Sequence, residues 1–177
     1  MKKDDLFQLL RNGSIDEFNK VRPNDVSDLL DLTELDFRGC ELKDADLSNC
    51  DLTGSDFTDM YVKNVKFIGS DLTSIDLTGT TMKNCDFTNS ILNGIKFMST
   101  ILQKCEFEEA DFSGADLSSA DISSSDLSTT QNLTECIFDD TTVWPDEDML
   151  PDGFEAIYQD DLSSLKDEED YVSNSDY

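Results

Sequence analysis

Residues 30–79 read LDLTE LDFRG CELKD ADLSN CDLTG SDFTD MYVKN VKFIG SDLTS IDLTG, a run of quintets in one unbroken frame. The third residue of each is apolar: Leu32, Phe37, Leu42, Leu47, Leu52, Phe57, Val62, Phe67, Leu72 and Leu77. The frame continues through Met82, Phe87, Leu92, Phe97, Leu102, Phe107, Phe112, Leu117, Ile122 and Leu127. Two residues before these centres stand small or apolar residues, among them Cys40, Ala45, Cys50, Ser55, Cys85, Ala110, Ala115 and Ala120. The remaining positions hold mostly Asp, Asn, Thr, Ser, Lys and Gly.

A period of five matches neither a helix nor a strand. A helix would smear the centres around its surface. Within a quintet, however, the two apolar positions lie two residues apart, as on one side of a strand. The fifth residue must then turn a corner, and short sides joined by corners make a coil. Coils stack through backbone hydrogen bonds about 4.8 Å apart, which is a solenoid. The aromatic centres suggest the number of sides. Phe37, Phe57 and Phe97 differ by multiples of twenty, as do Phe67, Phe87 and Phe107; Phe112 stands apart. Lys43, Lys63 and Lys83 also recur every twenty residues. Four quintets per coil put the two Phe columns on opposite sides, where they can interdigitate.

The quintets ADLSN, CDLTG, ADFSG, ADLSS and ADISS resemble the pentapeptide-repeat family, whose pattern is Ala, Asp or Asn, Leu, then two loose positions. The resemblance covers about 100 of the 177 residues. It implies an all-β solenoid: a right-handed, four-sided parallel β-helix, here with about five coils and a length of roughly 25 Å.

Outside this frame the chain divides further. Residues 1–29 are expected to form a helical cap over the first coil, whose open edge would otherwise invite strand pairing. Leu6, Phe7, Leu9 and Leu10 precede an Asn12-Gly13 stop. Ser14 and Glu17 match a capping box ahead of a second helix, and Pro23 ends it. The β-helix is expected over 30–143. After Leu127 the next aromatic centre, Phe138, follows at eleven residues, so one extra residue is expected near Gln131, with Cys136, Phe138, Thr141 and Val143 resuming the spacing. Trp144 is expected to plug the last coil within a cap over 144–166, with a short helix from Phe154 to Leu165. Residues 167–177 are expected to be a disordered acidic tail.

The net charge is −27, with 40 acidic residues, 13 basic ones and no His. Residues 30–131 carry 19 acids and 7 bases, and residues 132–177 carry 15 acids and 1 base. No apolar run approaches the roughly 20 residues of a membrane span. The start, MKKDDLFQLL, has no apolar signal-peptide core, so residence in the cytoplasm is the expectation. Four of the five Cys occupy the inward small position and read as buried thiols. Without His or a CxxC pair no zinc site is expected, and no cofactor either. Cys85 and Cys105 should stack on adjacent coils, within disulfide reach by spacing.

Taken side by side, the residues before the centres form ladders. Side one carries Asp31, Asp51, Asp71 and Asp111, interrupted by Ile91. Side two carries Asp36, Asp56, Asp76 and Asp116, interrupted by Lys96. Side three has Glu41, Tyr61, Thr81, Ile101 and Asp121, followed by Lys43, Lys63 and Lys83. Side four mixes Asp46, Lys66, Asp86, Glu106 and Asp126. The coil that breaks both acidic ladders puts Ile91, Lys96, Met98 and Ile101 outward, a candidate contact patch to which Tyr61 and the three Lys of side three are added.

Catalysis is not expected: no carboxylate is set apart by apolar surroundings, and no phosphate loop is present. One functional reading is a non-enzymatic acidic scaffold that binds a protein partner, such as one with a basic surface, through rigid faces. The family resemblance implies another. One branch mimics duplex DNA, binds type II topoisomerases (gyrase or topoisomerase IV) and protects against quinolones. Duplex DNA carries about 15 charges over roughly 25 Å, against −12 in the repeat region. Five coils span less than one DNA turn of roughly 34 Å, and the Lys column of side three breaks the acidity. Direct nucleic-acid binding is not expected on so acidic a surface. A monomer or an end-to-end dimer is compatible with the capped rod.

Overall fold

The computed structural model describes residues 2–23 and 28–156. Two helices, α1 (Lys3–Arg11) and α2 (Ile15–Val21), precede a right-handed, four-sided parallel β-helix. As far as Gln131 the coils are in register at twenty residues on every wall. Wall one pairs β1 (Leu30–Asp31) with β2 (Cys50–Asp51), and the ladder runs on from Asp51 to Asp71, Ile91, Asp111 and Gln131. Wall two links Asp36, Asp56, Asp76, Lys96 and Asp116; wall four links Asp46, Lys66, Asp86, Glu106 and Asp126. On wall three β3 (Tyr61–Lys63), β4 (Thr81–Lys83) and β5 (Ile101–Gln103) form a sheet three residues wide.

All twenty centres are buried. The Phe columns stack along the axis and cross it. Phe67 and Phe87 lie face to face at 4.9 Å, Phe87 and Phe107 at 5.0 Å, and Phe97 meets both Phe87 and Phe107 edge-on at 6.4 Å. Such offset and edge-to-face pairs add to the area each ring buries.

The corners obey a backbone rule. Every fifth residue from Glu34 to Ser119 has positive φ, between 51° and 77°. Gly fills some of these positions without strain, and Asn and Asp tolerate them. Lys104 (φ 53°) is a costly occupant.

The inward position two before the centre does more than fill space. At several of these positions a buried Ser or Thr hydroxyl donates to a centre carbonyl of the preceding coil: Ser55 to Leu32 at 3.1 Å, Ser70 to Leu47 at 2.7 Å, Thr80 to Phe57 at 2.6 Å and Thr100 to Leu77 at 2.8 Å, whereas Ser90 donates to Phe87 within its own coil. The hydroxyls of Ser55, Ser70 and Thr80 also accept backbone N–H groups, from Leu35, Cys50 and Met60. Each is a polar staple between coils, satisfied on both sides as burial requires.

The helices sit on the first coil. Phe7 meets Phe37 edge-on at 5.3 Å. Asn19 donates to the Asp44 carbonyl and accepts from the Asp46 N–H, at 3.0 and 2.9 Å. The buried Arg22 guanidinium donates to the carbonyls of Asp46 and Ser48 and pairs with the Asp46 carboxylate. Side chains of α2 thus occupy backbone groups that another coil would otherwise pair. The capping box expected at Ser14 does not form. Ser14 precedes α2 but makes no side-chain cap, because its ψ of 56° is not extended, and its N–H is turned back to the Leu9 carbonyl at 2.8 Å.

The frame slip is larger than the sequence suggests. Asp111 pairs with Gln131 at twenty residues, Asp116 with Ile137 at twenty-one and Asp121 with Val143 at twenty-two. Two residues are therefore inserted, not one. The first lies with the 3-10 turn Leu133–Glu135 and the second in the Asp139–Thr142 turn. Val143 consequently faces out, 49% exposed, and Trp144 takes the centre position that the sequence reading gave to Val143. Trp144 packs edge-on against Phe138 at 5.2 Å and against Phe154 at 5.0 Å. Phe154–Ala156 is not helical. The rest of the helix expected to Leu165, and the tail expected over 167–177, fall outside the described residues.

Candidate functional site

On the outer surface of the described coils the local chemistry turns largely on the residue before each centre. On walls one, two and four the residue before the centre is usually Asp. Its Oδ1 accepts the N–H of the residue after the centre: Thr53 to Asp51 at 3.0 Å, Thr73 to Asp71 at 2.9 Å, Thr58 to Asp56 at 2.9 Å, Thr78 to Asp76 at 3.0 Å, Ser113 to Asp111 and Ser118 to Asp116 at 3.0 Å. This is the Asx turn, in which a carboxylate substitutes for a backbone acceptor. The acidic ladders, read from sequence as solvated faces, are thus corner-forming elements first. Their carboxylates are fixed in direction and mostly half-buried.

Hydrogen bonds favour the ionised form of Asp31, Asp76 and Asp111. Asp31 is pulled down to about 2 by the Lys3 amine and the Thr33 N–H. At Asp76 burial pushes the pKa up, and bonds from Thr78 and Lys96 outweigh it to leave the group lowered. At Asp111 burial is likewise overcome, by Asn132 and Ser113. Cations also cross the ladders. Arg38 bridges Asp36 at 2.9 Å and Asp56 at 3.2 Å, and Lys96 reaches Asp76 at 3.2 Å.

Wall three differs. In the second to fourth coils Tyr61, Thr81 and Ile101 stand where the other walls have Asp. Here the ladder widens to three residues, whereas Lys66, Ile91 and Lys96, which also replace the Asp on their own walls, keep single-residue bridges. The outward residues of this window are Tyr61, Lys63, Thr81, Lys83, Ile101 and Gln103, and its far corner is Asn64, Asn84 and Lys104. No carboxylate occurs among them. The Asn84 amide donates to Asn64 Oδ1 at 3.2 Å, and Asn64 to Asp44 at 2.7 Å. Lys63, Lys83 and Lys104 make no ion pair among the described residues. Where Asp returns, at Asp121, the Asx turn returns with it.

The ladders separate the residues proposed from sequence as one contact patch. Ile91 belongs to wall one and Lys96 to wall two, with Met98 at that wall's end. Ile101 belongs to wall three, opposite Ile91. Tyr61, Lys63, Lys83 and Ile101 do come together, while Lys43 lies one coil away beside Asp44 at 3.7 Å. Lys104 and the Asn corner escaped the sequence reading. Their signal was the missing Asp three residues before Asn64, Asn84 and Lys104.

The thiols are interior. Burial pushes Cys50 and Cys136 up to about 12 and raises Cys40, and a hydrogen bond to Cys85 together with burial raises Cys105. Among the described residues no group of Cys, Asp and Glu has the geometry to hold a metal ion, and no helix is long and apolar enough to cross a membrane.

Comparison with known proteins follows the same lines. No curated protein matches the chain. Among solved structures it is similar to HetL, a pentapeptide repeat protein involved in heterocyst differentiation regulation in the cyanobacterium Nostoc. The identity is 24% and the TM-score 0.57, over 60% of this chain and 50% of HetL. A pentapeptide repeat protein of the Arabidopsis thaliana thylakoid lumen gives 22% identity and a TM-score of 0.44, over 50% of this chain and 66% of that one. Trypsin-treated QnrB1, a plasmid-mediated fluoroquinolone resistance protein, gives 17% and 0.32, over 63% and 52%. The chain therefore spans half of HetL's length. The pentapeptide-repeat model matches eight copies over residues 30–59, 61–94 and 92–128, more than half of the sequence, so the chain belongs to the pentapeptide repeat family.

Proposed function

We propose that this pentapeptide-repeat scaffold works without catalysis, docking a protein partner on its outer walls. The observation that carries the reading is the twenty-residue register held from Leu30 to Gln131, which repeats outward side chains at about 4.8 Å along each wall. Asx turns below and stacked Phe rings within fix those positions before any partner arrives, so association costs little ordering entropy. The pKa values of Asp31, Asp76, Asp111 and Asp126 are lowered, the opposite of a carboxyl group poised to exchange protons near neutral pH.

The test is quantitative capture from cells of the source organism by the chain and by an Ile91→Ser/Met98→Ser/Ile101→Ser variant with an unchanged melting temperature. A partner enriched by the parent and lost from the variant is expected. The same set of proteins on both, and on an unrelated acidic protein, would count against docking through these walls.

A second reading is favoured by the neighbouring Asp ladders of walls one and two, which set carboxylates in two parallel rows as duplex DNA sets phosphates. On that reading the partner is a type II topoisomerase such as gyrase. Inhibition of gyrase supercoiling by the purified chain, weakening with added salt, would support it. Full supercoiling at saturating protein would exclude it.

A further inference from the structure

We propose that the carboxylate-free window of wall three is a docking face for a short acidic polypeptide segment with apolar side chains, a partner opposite in charge to the one that the net charge suggests. The proposal rests on the docking-scaffold reading and names the face and the partner chemistry.

Three observations meet there. The first is charge. The repeat region holds 19 acids and 7 bases, yet the window has three Lys and no carboxylate. Elsewhere on the walls Arg38, Lys43 and Lys96 each lie within 4.0 Å of a carboxylate and only Lys66, alone between Asp46 and Asp86 on its ladder, does not, whereas in the window Lys63, Lys83 and Lys104 all lack such a pair among the described residues. The second is apolar exposure. Tyr61 and Ile101 are 62% and 39% exposed in one outward column, two coils and so about 10 Å apart. That spacing suits two anchors of one bound segment, with the Lys column alongside. The third is shape: β3, β4 and β5 form the widest flat sheet of the described residues. A long nucleic acid would overrun the window onto the acidic walls, which a short peptide avoids.

Screening makes the idea physically coherent and gives it a signature. At about 0.15 M salt a charge is felt over about 8 Å, so the local Lys decide. At about 0.01 M the range grows to about 30 Å, and the whole net charge repels an acidic ligand. At about 1 M the local attraction is screened as well. Affinity should therefore peak at intermediate salt.

The test uses the full chain, labelled with 15N, and an acetylated octapeptide of six Glu and two Phe as probe. Amides of residues 61–64, 81–84 and 101–104 should shift, and those of Asp71 and Asp116 should not. Lys63→Glu/Lys83→Glu should weaken binding about tenfold or more, and Tyr61→Ser about fivefold, with melting temperatures unchanged. Several results would overturn the proposal: no localised shifts; shifts at Lys2 and Lys20 instead; an affinity that only rises with salt; or tighter binding of deca-thymidylate. Neutralising the chain's own acids (Asp167→Asn, Glu168→Gln, Glu169→Gln, Asp170→Asn) should leave the window unmoved without peptide. Shifts there would make the chain's own C-terminal segment the occupant and defeat an external partner. Loss of peptide binding would not touch the capture experiment, so the two readings fail separately.

Discussion

Walls one and three share one core, and the residue before the centre separates them most clearly: Asp51 and Asp71 on wall one, Tyr61, Thr81 and Ile101 on wall three. On wall one Asp51, Asp71 and Asp111 accept the N–H two residues on, and the ladder there is only one or two residues wide. On wall three Tyr61, Thr81 and Ile101 leave that N–H in place, and the strand runs for three residues. The acid is thus spent on architecture where it is present. Where it is absent, the surface is released to carry Tyr, Ile and Lys. On wall three the change of surface character goes with a wider ladder, whereas Ile91 and Lys96 change the surface of their walls and leave the single-residue bridge in place.

The comparison assumes a common interior, and the largest effect should come from breaking that. Phe87 lies between Phe67 and Phe107, at 4.9 and 5.0 Å. Phe87→Asp should leave an unpaired buried charge and unfold the repeat region, read as loss of the cooperative melting transition. Phe87→Ala should stay folded but lose about 3–5 kcal/mol.

Acid comes next, because it acts on the Asp walls together. Asp31 and Asp139 sit near 2 in the folded chain, against an ordinary value of 3.8. A folded pKa below the unfolded one gives stability that is complete above about 4 and fades as pH falls toward 2. In about 1 M salt, where the repulsion within so acidic a chain is screened, melting temperature should be flat above pH 4 and drop below it. Asp76→Asn, Asp111→Asn and Asp126→Asn together should reduce that drop, since an amide oxygen still accepts the turn N–H.

Single turns are smaller. Asp71→Ala should cost about 1–2 kcal/mol, the loss of a charged acceptor for the Thr73 N–H. Thr81→Ala, at the matching place on wall three, should change stability by less than about 0.5 kcal/mol. Equal losses at both sites would erase the distinction between the walls. The smallest effect belongs to a corner. Lys104→Gly should raise stability by about 1 kcal/mol through relief of the positive φ, seen as a modest rise in melting temperature.

The apolar centres made the coil, its four sides and the opposed Phe columns readable without coordinates, because burial of Leu and Phe at a fixed period leaves few alternatives. Other features were not readable in the same way. The second inserted residue near Asp139–Thr142 lies where Ile137, Val143 and Trp144 offer rival apolar centres, and only the ladder register decides between them. The role of Asp was hidden because a carboxylate before an apolar residue looks equally at home in water or on a turn N–H. The contact residues were read coil by coil, which grouped Ile91 with Ile101. Walls, not coils, are the surfaces a partner meets, and they group Ile101 with Tyr61, Lys63 and Lys83.

The most direct test of the difference between the walls is the pH dependence of individual amide shifts in the full chain between pH 7 and pH 2. The Thr78, Ser113 and Ser128 amides should move in step with protonation of the carboxylates they donate to, Asp76, Asp111 and Asp126, while Lys63 and Lys83 amides stay still until the chain unfolds. Equal movement on all walls, or none at Thr78, Ser113 and Ser128, would show that Asp does not build the corners.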